Sequence, residues 1–103
     1  MIRCLERPQG LSAPLTRRLT VKYSTGLHVR ASGAIVKTVN RFTVKVQLRY
    51  GDQEADANGI FEIIMLEVPQ GAEVEFEAEG PDAERVLDAL SNLFADNFGL
   101  SEN

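Results

Sequence analysis

The sequence predicts an α+β fold: a four-stranded sheet, antiparallel or mixed, with helices on one face and water on the other. Three observations predict it. Several segments alternate apolar and polar residues with a period of two, as strands buried on a single face must. Longer segments carry apolar residues at spacings of three and four, which make one face of a helix. The polar faces of the strands also bear complementary charge, one lined by glutamate and two by lysine and arginine. With 103 residues, 44% hydrophobic and 25% charged, the chain has the make-up of one ordinary globular domain. A domain of this size buries enough apolar surface to fold without disulfides or metal.

Residues 1–15 hold Pro8, Gly10 and Pro14 with no sustained period. They are expected to form a flexible N-terminal extension, leaving residues 16–103 as the domain. Over residues 17–23, Leu19, Val21 and Tyr23 point one way and Arg18, Thr20 and Lys22 the other, a half-buried strand. Ser24-Thr25-Gly26 ends it with turn chemistry. From Val29 to about Asn40 the period changes, and Ala31, Ala34, Ile35, Thr38, Val39 and Phe42 share one helical face. Gly33 costs this helix about 1 kcal/mol relative to alanine, so close packing on the sheet is the expected reason for it.

Residues 43–50 alternate again, Val44, Val46, Leu48 and Tyr50 against Thr43, Lys45, Gln47 and Arg49. Gly51-Asp52 signals a hairpin turn, with a short returning strand over residues 53–56. Asn58 or Gly59 caps a short helix from Ile60 to about Glu67, terminated by Pro69-Gln70-Gly71. Residues 73–79 alternate most cleanly, with Val74, Phe76 and Ala78 inward and four glutamates outward. Gly80-Pro81-Asp82 opens the last helix, striped by Ala83, Val86, Leu87, Leu90, Leu93 and Phe94, with Gly99 as its stop. The four glutamates want basic neighbours on both sides. Placing their strand between the first (Arg18, Lys22) and the second (Lys45, Arg49) gives the spatial order first, fourth, second, third.

Several function classes are excluded. A net charge of −4 gives no general attraction to nucleic acid or anionic membrane. An open sheet face without aromatic residues is no platform for single-stranded RNA. One cysteine, Cys4, and one histidine make neither an internal disulfide nor a four-ligand zinc site. The alternating glutamates lack the glycine-turned loop of a calcium site, so no metal or cofactor is expected. The most apolar run, residues 60–68, is interrupted by Glu62 and Glu67 and is far too short to insert in a membrane. Arg17-Arg18 precedes an alternating strand and not the apolar core of an export signal. A reducing cytoplasm is the natural compartment. No Ser-His-acid or paired-carboxylate arrangement for hydrolysis is legible, and the chain is read as a non-enzyme.

The chemistry concentrates at Gly26-Leu27-His28-Val29-Arg30, around the only histidine. A neutral imidazole is a nucleophile near neutral pH, because the ordinary histidine pKa lies at about 6.5. A phosphoryl group on a ring nitrogen is a reactive donor, suited to being passed on. The helix start offers the backbone N–H groups of Val29 and Arg30 to its oxygens, and Arg30 adds a guanidinium. Spacing alone leaves the plain alternative open: a lone histidine ahead of a helix also serves as a cap or a surface residue.

This stretch resembles the Gly-Leu-His-Ala-Arg-Pro-Ala signature of HPr, the histidine-containing phosphocarrier of the bacterial phosphoenolpyruvate-dependent sugar phosphotransferase system. The resemblance extends from about Thr16 to Gly99 and includes the element order. It implies an open-faced β-sandwich of four antiparallel strands under three helices. It further implies that His28 accepts phosphate on Nδ1 from enzyme I and donates it to a sugar-specific enzyme IIA, with Arg30 as the active-site arginine and the Val29 N–H among the phosphate donors. The short helix would dock both partners. Its Ile63 and Leu66 can point into the core, leaving Ile60, Phe61, Ile64 and Met65 as the expected contacts, the protein acting as a monomer.

Ser32 replaces a common alanine of the signature, and two further departures from the family pattern bear on function. Ala31 replaces a proline that would fix φ in advance, which predicts a more mobile helix start. Gly59 stands where Gram-positive relatives carry a serine phosphorylated by a kinase, and glycine has no hydroxyl. A second reading therefore accompanies the first: a paralogue that binds a regulator, or that serves a nitrogen-related phosphotransferase branch.

Overall fold

The computed structural model describes residues 14–23 and 26–99, so the expected extension lies outside the described residues up to residue 13. In chain order the elements are β1 (Leu15–Thr20), α1 (Val29–Val39), β2 (Lys45–Tyr50), β3 (Gln53–Asp56), α2 (Ile60–Met65), β4 (Glu73–Glu79), α3 (Ala83–Ala95) and a 3-10 turn (Asn97–Gly99). The four strands form one sheet in the order β1-β4-β2-β3, with every neighbouring pair antiparallel. This is the order that charge matching predicts.

The match is visible in the register. Arg18 and Arg49 both lie opposite Glu75, from the two sides of β4. Arg49 contacts Glu75 at 3.5 Å and Glu54 at 3.7 Å, and pairs with Glu77. The hydrogen bond to Glu77 holds the Arg49 guanidinium above its usual pKa, against the opposing effect of burial. Arg18 reaches Glu73 at 3.8 Å. Solvent-facing pairs of this kind, half-buried around Arg49, contribute at most about 1 kcal/mol each, so they set the strand order more than the stability.

Stability comes from the other face. Val46, Leu48, Val74, Phe76 and Ala78 of the sheet meet Ala31, Ile35 and Val39 of α1, Ile63 of α2, and Val86, Leu87, Leu90 and Phe94 of α3, all buried. Phe76 and Phe94 meet edge to face with ring centroids 5.6 Å apart. Phe94→Ala is expected to cost about 3–5 kcal/mol of unfolding free energy, read from the shift in a urea denaturation midpoint at constant slope.

The elements differ from the sequence expectation at their ends, each time because the chain makes a tertiary bond there. β1 spans Leu15–Thr20, not residues 17–23: its ladder with β4 ends at Thr20 opposite Glu73. Beyond that, Val21 bonds the turn before β4 instead, donating to the Ala72 carbonyl at 2.9 Å and accepting from the Gly71 N–H at 2.7 Å. Val21 and Tyr23 are still buried, as the alternation predicts. Lys22 lies past the ladder and faces no glutamate of β4. Arg17, on the helix-covered side, reaches Asp88 and Ser91 of α3 at 2.8 and 3.0 Å.

β2 begins at Lys45 because Thr43 is engaged with the start of α3, its N–H donating to Asp82 Oδ2 at 2.8 Å. α2 ends at Met65, two residues before the expected limit, and Glu67 turns the chain with φ of 55°. α3 ends at Ala95, after which Phe98 folds back into the core against Tyr23 and Phe94. Gly33 faces α2 and not the sheet, and a Cβ there would sit 3.6 Å from Ile60 Cδ1, an ordinary contact. Gly33→Ala is therefore expected to raise stability by up to about 1 kcal/mol, measurable as a higher denaturation midpoint.

Candidate functional site

His28 is the N-cap of α1, with φ of −90° and ψ of −165°. Its backbone is already extended and its carbonyl accepts the Ser32 N–H at 2.8 Å, the first bond of the helix. The side chain makes no capping hydrogen bond and is exposed. Three backbone N–H groups follow, those of Val29, Arg30 and Ala31. In the first turn of a helix these have no intrahelical acceptor, and among the described residues none has another partner. The signature's proline would lack the third donor, so Ala31 adds one. Arg30 is exposed, and its guanidinium has no hydrogen-bond or ion-pair partner among the described residues. No carboxylate occurs in the sequence from Val21 through Gly51.

The loop that carries the histidine is held from behind. Gly26 has φ of 69°, a left-handed conformation, and donates its N–H to the Tyr23 carbonyl at 2.9 Å. Leu27 is buried and donates its N–H to the Val68 carbonyl at 2.9 Å. A Cβ on Gly26 would lie 2.2 Å from that same carbonyl oxygen, so only glycine permits this approach. Ser32, wholly buried, donates its hydroxyl to the Leu27 carbonyl at 3.1 Å. Leu27 thus has its N–H bonded to the loop after α2 and its carbonyl bonded to α1. The early end of α2 has its explanation here, because Val68 has to leave the helix to reach Leu27.

The residues expected to dock partners divide into two groups. Phe61 and Met65 are 78% and 75% exposed, while Ile63 and Leu66 are buried. α2 is thus buried on one side only. Ile60 and Ile64 are half-buried, Ile60 because it turns toward α1 at Gly33. Val29 is also exposed, beside His28. Glu62 is an addition that sequence reasoning passed over: its Oε1 accepts the Asp56 N–H at 3.1 Å. Val68 was missed likewise, and so was the bond made by the Ser32 hydroxyl. The signal for Ser32 is its place one turn after His28; Val68 leaves none, since its part is played by a backbone carbonyl. Among the described residues no cluster of histidine, cysteine and carboxylate side chains is placed to hold a metal, and no helix is long and apolar enough to cross a membrane.

Comparison with known proteins bears on this geometry directly. Residues 15–96 match the family model for the PTS HPr component phosphorylation site. The chain is 34% identical over 88 residues to a phosphocarrier protein HPr of Cupriavidus necator, covering 85% of this chain and 99% of that one. It is 35% identical over 85 residues to the phosphoryl donor subunit DhaM of a phosphoenolpyruvate-dependent dihydroxyacetone kinase from Providencia stuartii, spanning 82% of this chain and only 18% of the relative. The crystal structure of an HPr from Thermoanaerobacter tengcongensis superimposes with a TM-score of 0.80 at 31% identity, over 85% of this chain and 99% of that one. The strand order, the three helices on one face and the likeness along nearly the whole of a free-standing HPr lead to one assignment: the chain belongs to the HPr family of phosphotransferase-system phosphocarriers.

Proposed function

We propose that His28 is the phosphoryl acceptor and donor of this carrier, taking the group from enzyme I and giving it to an enzyme IIA in the cytoplasm, as a monomer. The observation that carries the reading is the exposed imidazole at the N-terminus of α1, with three N–H groups and an Arg30 beside it that have no partner among the described residues. The Nδ1 lone pair attacks phosphorus, and the new N–P bond forms as the bond to the donor breaks. The N–H groups of Val29, Arg30 and Ala31 and the helix dipole take up phosphoryl charge. The Arg30 guanidinium closes on the remaining oxygens. From Val21 through Gly51 the neighbouring sequence offers no carboxylate to repel the incoming phosphoryl group.

Phe61 and Met65, with the half-buried Ile60 and Ile64, supply the apolar surface on which the partners settle. The test is incubation with phosphoenolpyruvate and enzyme I, followed by intact mass. One acid-labile phosphoryl group on the native protein supports the reading, and none sinks it. Arg30→Ala is expected to slow transfer by about ten- to a hundredfold, the loss of a hydrogen-bonded charge, with Arg30→Lys recovering part of it. A stopped-flow or quenched-flow transfer assay reads both.

One comparison favours keeping the second reading in view. The Providencia relative is the phosphoryl donor subunit of a dihydroxyacetone kinase, so acceptors other than a sugar-specific enzyme IIA belong in the assay. Offering the phosphorylated carrier to each candidate acceptor separates the branches.

A further inference from the structure

We infer that the exposed face of α2 selects its phosphoryl donor by charge, and that the donor presents an apolar cleft flanked by lysine or arginine facing Glu62 and Glu54. The inference rests on the phosphocarrier reading above and names the chemistry of the partner. Phe61 and Met65 lie on a shallow concavity of about 360 Å³ whose other lining residues are Gln53, Glu54, Glu62 and Leu66. Among the described residues no lysine or arginine lines it. An apolar anchor is therefore ringed by two carboxylates.

Glu62 is fixed in this position. Its Oε1 accepts the Asp56 N–H at 3.1 Å, and it has no ion-pair partner among the described residues. Gly59 leaves room for it: a Cβ at that position would stand 3.2 Å from the Glu62 carboxyl carbon. Among the described residues Glu54 touches a cation only through Arg49, at 3.7 Å, and that guanidinium is also engaged by Glu75 and Glu77.

A donor that covers Phe61 and Met65 strips water from the rim beside them. A cation opposite Glu62 offsets that loss, whereas an acidic or purely apolar surface leaves the carboxylate facing a like charge or none. The face is also polarised. His28 and Arg30 at the start of α1 accommodate the incoming phosphoryl group, α1 packs against α2, and the two carboxylates line the concavity that α2 shares with β3. A docking partner is thereby oriented as well as attracted.

The test is phosphoryl transfer from phosphoenolpyruvate through the enzyme I of the source organism, measuring KM and kcat for the carrier at low and high salt. Glu62→Gln keeps an oxygen to accept the Asp56 N–H and removes only the charge. KM is expected to rise about threefold with Glu62→Gln and about tenfold with Glu62→Lys, with kcat held and the native KM rising with salt. A KM unchanged or lowered by Glu62→Lys, with the native protein fully phosphorylated, overturns the charge selection and leaves the carrier function standing. A native protein that takes no phosphate from that donor at any concentration overturns both.

Discussion

His28→Ala is expected to take no phosphate from phosphoenolpyruvate and enzyme I under conditions in which the native chain is labelled stoichiometrically. The loss should be complete, because there is no second histidine to substitute. The fold should be indifferent to the change. The imidazole is exposed and makes no capping bond, and the structural work of residue 28 is done by its backbone: its carbonyl accepts the Ser32 N–H and its N–H donates to the Gly26 carbonyl at 2.9 Å. Truncating an exposed side chain that makes no capping bond shifts stability by no more than about 0.5 kcal/mol. Denaturation midpoint and intact mass, taken on one preparation, therefore separate the acceptor from a fold effect. Equal labelling of His28→Ala and native protein would place the acceptor elsewhere. A large drop in midpoint would mean that the ring is structural after all.

Much of the fold was legible because burial on one face leaves a periodic trace. Val74, Phe76 and Ala78 alternate with glutamates, and the partners of those glutamates could be counted along the other strands. The strand order followed from setting the glutamate strand between Arg18 and Lys22 on one side and Lys45 and Arg49 on the other, and the structure shows Arg18 and Arg49 converging on Glu75. What periodicity cannot report is where a chain leaves its element to make a tertiary bond. Thr43 reads as strand and bonds Asp82; Glu67 reads as helix and turns away so that Val68 meets Leu27. Phe98 follows the last helix without any period, yet it is 3% exposed and packs on Tyr23 and Phe94. In the site, His28 and Arg30 are conspicuous by residue type. The groups that hold them are a glycine conformation, two carbonyls and a buried serine; the glycine and, by its place one turn after His28, the serine leave a trace in the sequence, and the carbonyls leave none.

Gly26 is where that hidden support is most exposed to a single change. Gly26→Ala is expected to destabilise the protein by about 2–4 kcal/mol, the sum of a left-handed alanine and an overpacked contact. The new Cβ would lie 2.2 Å from the Val68 oxygen and 2.9 Å from Pro69 Cα. Both are backbone atoms, so no side chain can swing aside; the loop after α2 must move or Gly26 must. Either motion lengthens the Leu27–Val68 hydrogen bond, now 2.9 Å, on which the placement of His28 depends. Phosphoryl transfer should then fall even at temperatures well below unfolding. Gly51→Ala is the matched comparison. Its φ of 62° is nearly the same, but nothing lies within 4 Å of the Cβ position, in a hairpin turn remote in sequence from the histidine. That variant should lose only about 1–2 kcal/mol and transfer at the native rate. If Gly26→Ala lost no more stability than Gly51→Ala and kept its rate, the close approach to Val68 would not be what positions the histidine.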